Sequence, residues 1–580
     1  MFNRFFQQEL SYLRELGEEF SKAHPAVAPM LSGASADPDV ERLLEGVAFL
    51  TGLLRQKLED EFPEIVHELI ELIWPHYLRP LPCMTIVAFT PKPALKQPVK
   101  ISKGSQLGSA PVEGTMCLFQ TAYDVHVHPL SLINASFIES AGAPPRITLS
   151  FELREMTVSE WKAGPLRLHL SGPVAHAADI YLLLRAHLRR IVIRNSEGGT
   201  ACTLSRAFLK PAGFADDETL IPYPSNSFPG YRIIQEYFTL PEKFLFLDLE
   251  GLELWTDRGE GSRFEVSFEL SDMPFPALRL KTEDFTLFAT PAINIFSHEA
   301  DPIRLDHRRT EYLVAPAGAN RFHYQVYSLK SVTGFAQGTA EERPYFPFDF
   351  FSAHSGNDRG GSIYHLNRRN SLIRPAFDVY LSVAHQKGTE MLSSETLSIK
   401  MMCTNGSLPE NLQAGDISVP TSNSPELVDF TNIRPPTVNV LPPLSGNILW
   451  RLLSHLSLNY TSLSSAKNLR AILDLYVFEG SQDKAFVLSN KKRISGIEKV
   501  ETNSVDRLIA GVIRKGQEIR LNVRSDHFPG HGDLYLFGCV IDHFLGSYAS
   551  INTFTRLFIK DVIKGEIYQW PERLGDHPLL

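Results

Sequence analysis

Apolar residues recur at three- and four-residue steps through the first eighty positions. Phe2, Phe5, Phe6, Leu10, Leu13, Leu16 and Phe20 make one series, and Val40, Leu43, Leu44, Val47, Leu50, Leu54 and Leu58 a second. Val66, Leu69, Ile70, Ile73 and Tyr77 make a third. Steps of this kind put each series on one face of a helix, so three amphipathic helices are predicted before residue 82. Asp37-Pro38-Asp39 gives the second helix a capping carboxylate, a proline at its first position and negative charge at the positive end of its dipole. Pro63-Glu64 is read as the opening of the third. Burying the seven apolar side chains of the first series would contribute roughly 10–20 kcal/mol, at about 1.5–3 each. Three short helices cannot hide so much apolar surface among themselves. A partner is therefore expected, with Phe2, Phe6, Leu13, Leu43, Val47 and Leu54 as candidate contacts and Trp74, Tyr77 and Leu78 anchoring the turn that follows.

After Pro82 the period changes from 3.6 to 2. Met84–Phe89, Cys117–Ala122, Ile147–Leu153 and Leu166–Ser171 are predicted strands between Gly and Pro turns. Ala178–Arg190 is predicted as a helix running into a strand near Ile193, and Pro211–Tyr231 as a proline- and aromatic-rich loop. Phe244–Leu249, Leu252–Trp255 and Phe264–Leu270 follow as strands. Short strands with many prolines point to β-sandwich-like domains rather than a repeat array. Thr404–Pro443, rich in Asn, Pro and Ser, is read as a linker and candidate hinge. Beyond it the pattern is mixed. Helices are expected on Ile448–Leu456 (capped by Ser445), on Leu469–Tyr476 and on Leu534–Tyr548, with strands at Glu518–Val523, Thr553–Lys560 and Glu566–Trp570. Phe544 and Tyr548 on the last helix are a second, weaker candidate contact, with a place in the domain core as the competing expectation. The fold class is thus α+β and multi-domain: a helical segment 1–82, β-rich domains 83–284 and 285–430, and a mixed α/β domain 431–580.

Several strings carry a family resemblance. Glu9–Gly17, Asp37–Gly46, Asp60–Glu64 and Trp74–Pro80 follow one another in an order that resembles the N-terminal signature of the TssF family, also called ImpG or VasA. Ile293–Phe296, Asp301–Ile303 and Arg308–Tyr312 resemble it in mid-chain. So do Arg451–Tyr460, Leu536–Val540 and Phe544–Thr555 near the end. The resemblance is weak over 91–284. It implies a structural baseplate wedge component of the bacterial type VI secretion system, two copies assembling with one TssG and with each other. It also implies binding to TssK, proximity to TssE and the VgrG spike, and a role in templating tube and sheath and in coupling to contraction. The location it implies is the cytoplasmic side of the inner membrane.

Composition narrows the alternatives. The net charge of −9, with no basic run longer than Lys491-Lys492-Arg493, lacks the footprint of a nucleic-acid binder. No window of 18 apolar residues suggests a membrane span, and the N-terminus lacks the apolar core of a secretory signal. Cys83, Cys117, Cys202, Cys403 and Cys539 have no paired spacing, so buried, reduced thiols are expected. His67-Glu68 lacks the second histidine of a zinc-binding helix. His126 with His128, and Asp526, His527, His531 and Asp533, are the remaining ligand-like groups, better read as strand and capping residues. Ser464-Ser465-Ala466-Lys467 fits a serine nucleophile pattern without companion motifs, and Ser464 is read as a helix cap. Arg308-Arg309 and Arg368-Arg369 resemble anion sites but are better read as solvated faces or as cross-strand partners of carboxylates. No catalytic group, metal or cofactor is expected. The competing class, favoured by 10% aromatic content and a β-rich middle, is a glycan-binding sandwich or glycoside hydrolase.

Overall fold

The computed structural model describes residues 38–444 and 465–575, apart from 141, 224–226, 272–274, 277, 307, 319, 337–341, 349–361, 372–373, 385–394, 479–482 and 510. Before 38 it describes only residues 6, 7, 10, 11, 13 and 14, and within the first long helix it leaves out the side chains of 54–66, 68, 69, 72 and 73. The chain is mixed α and β, as its patterning implies. It divides into two compact units, one of residues 1–78 with 443–457 and one of 79–442 with 458–580.

In the smaller unit the second and third predicted helices are one. Helix α1 runs from Pro38 to Ile73 without a break. A proline in a helix interior loses one backbone hydrogen bond and crowds the preceding turn, at about 3 kcal/mol or more. Despite that cost α1 continues through Pro63, which therefore lies inside a helix rather than opening one. A 3₁₀ turn, Pro75–Leu78, follows, with the Tyr77 N–H donating to Trp74 O at 2.9 Å.

In the larger unit the hub is a five-stranded antiparallel sheet in the order Val428–Asn432, Met84–Pro91, Ala289–Ile293, Thr115–Thr121, Gln106–Val112. Met84 lies opposite Ile293 and Val87 opposite Asn432. Strand 84–91 is buried at all but one position, which explains its continuous apolar run. This one sheet takes strands from both sides of the boundaries expected at 284 and 430, so those positions do not separate independent cores.

The expected linker Thr404–Pro443 is built into this hub. Asn405 and Asn294 bond reciprocally, Asn405 N–H to Asn294 Oδ1 at 2.6 Å and Asn294 Nδ2 to Asn405 Oδ1 at 2.9 Å. Asn432 Oδ1 accepts the N–H groups of Gly415 and Ile417, and its Nδ2 donates to the carbonyls of Gln413 and Arg434. Leu81 and Val440 exchange backbone bonds. The polar composition that suggests a solvated linker serves instead to satisfy buried backbone in a long irregular segment.

A second five-stranded sheet, Leu130–Ser140 to Cys202–Ser205, covers a core in which Phe264 stacks on Phe151 at 5.1 Å and on Trp161 at 5.3 Å. A four-stranded sheet is ordered Leu209–Ala212, Phe246–Leu249, Leu166–Leu170, Phe285–Leu287. An eight-stranded sheet takes its strands from 296–404. Helix α2, Val174–Ala186, gives way to the strand Leu188–Asn195, close to expectation. Helix α3, Pro229–Thr239, begins in the last three residues of the expected loop and runs beyond it, and Leu252–Leu254 is a 3₁₀ turn rather than a strand.

Helix α4, Ala466–Asp474, and helix α5, Lys484–Ser495, lead into a hairpin of Ile497–Ile509 and Val512–Val523. The predicted helix at Ile448–Leu456 with its cap Ser445, and Ser464, lie outside the described residues. Strand 512–523 runs parallel to Thr553–Asp561, joined through helix α6, His531–Gly546, as a parallel pair requires. Helix α6 is buried almost all round and packs on α2 and α3, which fits its nearly unbroken apolar sequence.

Two buried histidines give this core a pH response. His169 packs on Phe246 and His128 accepts a hydrogen bond from Trp161 Nε1 at 3.2 Å. Burial drives both pKa values down, to about 3 and about 4. Both are neutral when folded, while an unfolded histidine protonates below about 6.5. The unfolded state thus binds more protons below that pH, and stability falls as pH drops from about 6.5 through about 4. Each pH unit in that window removes about 1.4 kcal/mol per histidine. Denaturant titrations at pH 7 and pH 5 should show this loss, and His169→Phe should reduce it. An equal loss in that variant would assign the effect elsewhere.

Candidate partner-docking surface

Helix α1 begins on Pro38 with Asp39 and Glu41 in its first turn, where the dipole favours negative charge. At about 100° per residue, Leu43, Val47 and Leu50 fall within about 60° of one another, and Ala48 and Gly52 lie on the opposite side. Ala48 and Gly52 are buried. Leu43 is 69% exposed, Leu50 63% and Val47 40%. The helix is therefore apolar on two faces, one covered within the chain and one open to solvent. Phe49 and Leu53, also exposed, widen the open face. Both fall outside the predicted stripe, although they are four residues apart.

The helical residues Phe6, Leu10 and Leu13 are half-buried, and Arg14 pairs with Glu41 of α1 at 2.8 Å. Their segment thus lies beside α1. Phe2 lies outside the described residues, as does the side chain of Leu54.

The other candidate contacts are placed differently. Trp74, Tyr77 and Leu78 are buried within the chain and offer no free surface. Phe544 is wholly buried. Tyr548 is half-buried, with its hydroxyl donating to Tyr231 Oη at 2.9 Å and its ring against Phe228. The end of α6 is therefore core, packed on α3, and not a docking face.

The ligand-like groups do not converge. His126 is exposed and His128 buried, because the strand Val125–Val127 ends between them and the two-residue alternation stops. Asp526 pairs with Arg524, and His527 bonds Ser495. His531 faces Glu566 at 3.2 Å, and Asp533 pairs bidentately with the buried Arg493 at 2.8 and 3.0 Å. Among the described residues no group of three His, Cys, Asp or Glu is arranged to hold a metal. Arg369 pairs with Glu311 at 2.9 Å. All five cysteines are free, four of them buried, and burial pushes the Cys117 thiol up to about 11 and Cys403 to about 12. Such thiols are poor nucleophiles. No helix among the described residues is long and apolar enough to cross a membrane.

Known proteins place this architecture. A cryo-electron microscopy structure of the type VI secretion system TssK-TssF-TssG baseplate subcomplex contains a chain that matches with a TM-score of 0.77 and 29% identity. The match covers 93% of this chain and 99% of that one. A chain of the baseplate complex from the type VI secretion system matches with a TM-score of 0.64 and 25% identity, over 99% and 100%. The type VI secretion system component TssF1 of Pseudomonas aeruginosa is 30% identical, over 99% of both chains. The family described as "Type VI secretion system, TssF" matches residues 1–577, and the chain belongs to that family.

Proposed function

We propose that this chain is a structural subunit of the type VI secretion baseplate wedge, with no catalytic role of its own. Two copies assemble with one TssG, and with TssK on the cytoplasmic side of the inner membrane. TssE and the VgrG spike are its further neighbours. The wedge holds the spike, templates tube and sheath, and transmits contraction. Membership of the family, and the likeness to chains of a TssK-TssF-TssG subcomplex, support the TssG and TssK partners.

The observation that carries the reading is the open apolar face of α1. Leu43, Val47 and Leu50 are exposed on the side away from Ala48 and Gly52. Single exposed leucines are ordinary, but a contiguous stripe on a long helix fits a face that a second helix covers. Covering these three side chains would contribute about 1.5–3 kcal/mol each, before the cost of association. The occupant is a helix of TssG, forming a mixed bundle with α1 and the segment around Phe6 and Leu13. Replacing Leu43 and Val47 together by Asp should abolish co-purification with TssG. Because both positions belong to the smaller unit, the melting of the larger unit should not move. A complex that survives the double substitution would sink the proposal.

A further inference from the structure

A cleft of about 930 Å³ opens in the larger unit between the end of α2, the strand Leu209–Ala212 and the strand Ile567–Gln569. Its inner wall is aromatic. Tyr535 stacks on Trp570 at 5.4 Å and meets Tyr568 edge-on at 5.8 Å. Its lining is cationic, with Arg185, Arg206, Lys210 and Arg556 against the single carboxylate of Glu566. Lys210 is matched by Glu250 at 2.6 Å and Arg556 by Glu572 at 3.4 Å. Among the described residues Arg185 and Arg206 hold no carboxylate. Arg185 donates to Leu209 O at 2.6 Å, and Arg556 Nε is buried without a hydrogen-bond partner. In a chain of net charge −9, these unspent guanidinium donors make a local site for negative charge.

The two strands bordering the cleft each end a sheet, and their edges differ. On the Ile567–Gln569 strand, Tyr568 lies opposite Ile559, Glu566 O accepts from the Asp561 N–H, and the Trp570 N–H donates to Leu557 O. The alternation of an antiparallel ladder then turns the backbone groups of Ile567 and Gln569 outward, where they can pair with a further strand. The Leu209–Ala212 edge is closed to pairing, because Pro211 has no N–H and Leu209 O is occupied by Arg185.

We propose that this cleft captures an extended acidic peptide segment of a partner protein. The segment adds as a strand to the Ile567–Gln569 edge, with carboxylates toward Arg185 and Arg206 and alternate apolar side chains toward the Tyr535–Trp570 wall. Side chains of a strand alternate between faces, so alternating acidic and apolar residues satisfy both walls at once. The site is separate from the open face of α1 and does not depend on what covers it.

The test is fluorescence anisotropy on the full chain with a labelled peptide of alternating Glu and Val. Comparison probes are a Lys–Val peptide, the Glu–Val peptide N-methylated at alternate amides, and a short single-stranded oligonucleotide. The plain acidic peptide should bind and the other three should bind at least about tenfold more weakly. Ile567→Pro removes an outward N–H at an exposed position of an edge strand, where proline is tolerated, and Arg206→Glu reverses an exposed charge. Each should weaken the acidic peptide by about tenfold or more with the melting temperature unchanged. If the proline variant unfolds, Arg206→Glu carries the test alone. No binding of the acidic peptide would overturn the proposal. So would equal binding of the N-methylated peptide or of the oligonucleotide, or unchanged affinity in the folded variants.

Discussion

Lys243→Met should destabilise the larger unit by roughly 3–5 kcal/mol, the usual cost of leaving one member of a buried ion pair alone. Lys243 and Glu236 are both wholly buried, with Nζ donating to Glu236 Oε2 at 2.5 Å and to Gly213 O at 2.6 Å. Burial lowers the lysine pKa while Glu236 opposes it. The other oxygen of Glu236 accepts the N–H groups of Leu220 and Ile221, at 2.8 and 3.0 Å. The pair therefore joins α3 to the irregular segment before it. Methionine fills most of the lysine's volume but leaves a carboxylate in a low-dielectric site with only two amide donors.

The double variant Glu236→Gln, Lys243→Met separates charge from shape. Glutamine keeps an acceptor for the two N–H groups and carries no charge, so more than half of the lost stability should return. Emission from Trp161 and Trp255, both fully buried in this unit, reports the unfolding midpoint in a denaturant titration. A double variant as unstable as the single one would mean that the ion pair is not what Lys243 contributes. Neither residue could be singled out from sequence, because a Glu-x₆-Lys spacing on a surface helix looks the same. Only the sheets and helices assembled around α3 turn it into a buried pair.

The same distinction runs through the fold. The strands at 147–153 and 264–270 were legible from a clear two-residue period, and the strand at 84–91 and the helix from Leu534 onward from the length of their apolar runs. The hairpin 497–523 was legible only at its last six residues, Glu518–Val523, because its tip carries few buried positions and so no strong alternation. Leu252–Leu254 and the end of the proline-rich loop were misassigned, since short apolar runs do not declare their period. The open stripe Leu43-Val47-Leu50 was legible because an unpartnered face is written in the same periodicity as a buried one. The cleft was not. Its cations at 185, 206 and 556 come from distant segments and are ordinary surface residues until the sheets end beside them. Likewise, the core position of Phe544 and Tyr548 depends on α3, most of which lies between the expected loop and the next expected strand.

Gly532→Ala should cost about 3 kcal/mol or more, at the upper end of what overpacking usually does. Gly532 sits at the start of α6, where a Cβ would collide with the backbone of Ala178 and Asp179 in α2. Two backbones in contact have no flexible side chain that can give way, so the helices must part. Parting them would also lengthen the bond from the Gly532 N–H to Asp179 Oδ1, now 2.8 Å. Gly46 in α1 is the control, because a Cβ there meets nothing within 4 Å. Gly46→Ala should stabilise the helix by up to about 1 kcal/mol, as expected for an exposed helical glycine. Gly46 also adjoins the open stripe of Leu43, Val47 and Leu50. A stabilised free chain that binds TssG less well would mean that the glycine is there to let the partner helix approach closely. Thermal melts of the two variants, beside pull-down of TssG by Gly46→Ala, separate a glycine needed by the fold from one needed by the interface. If Gly532→Ala melted with the parent chain, the close contact of α2 and α6 would not be what fixes that position.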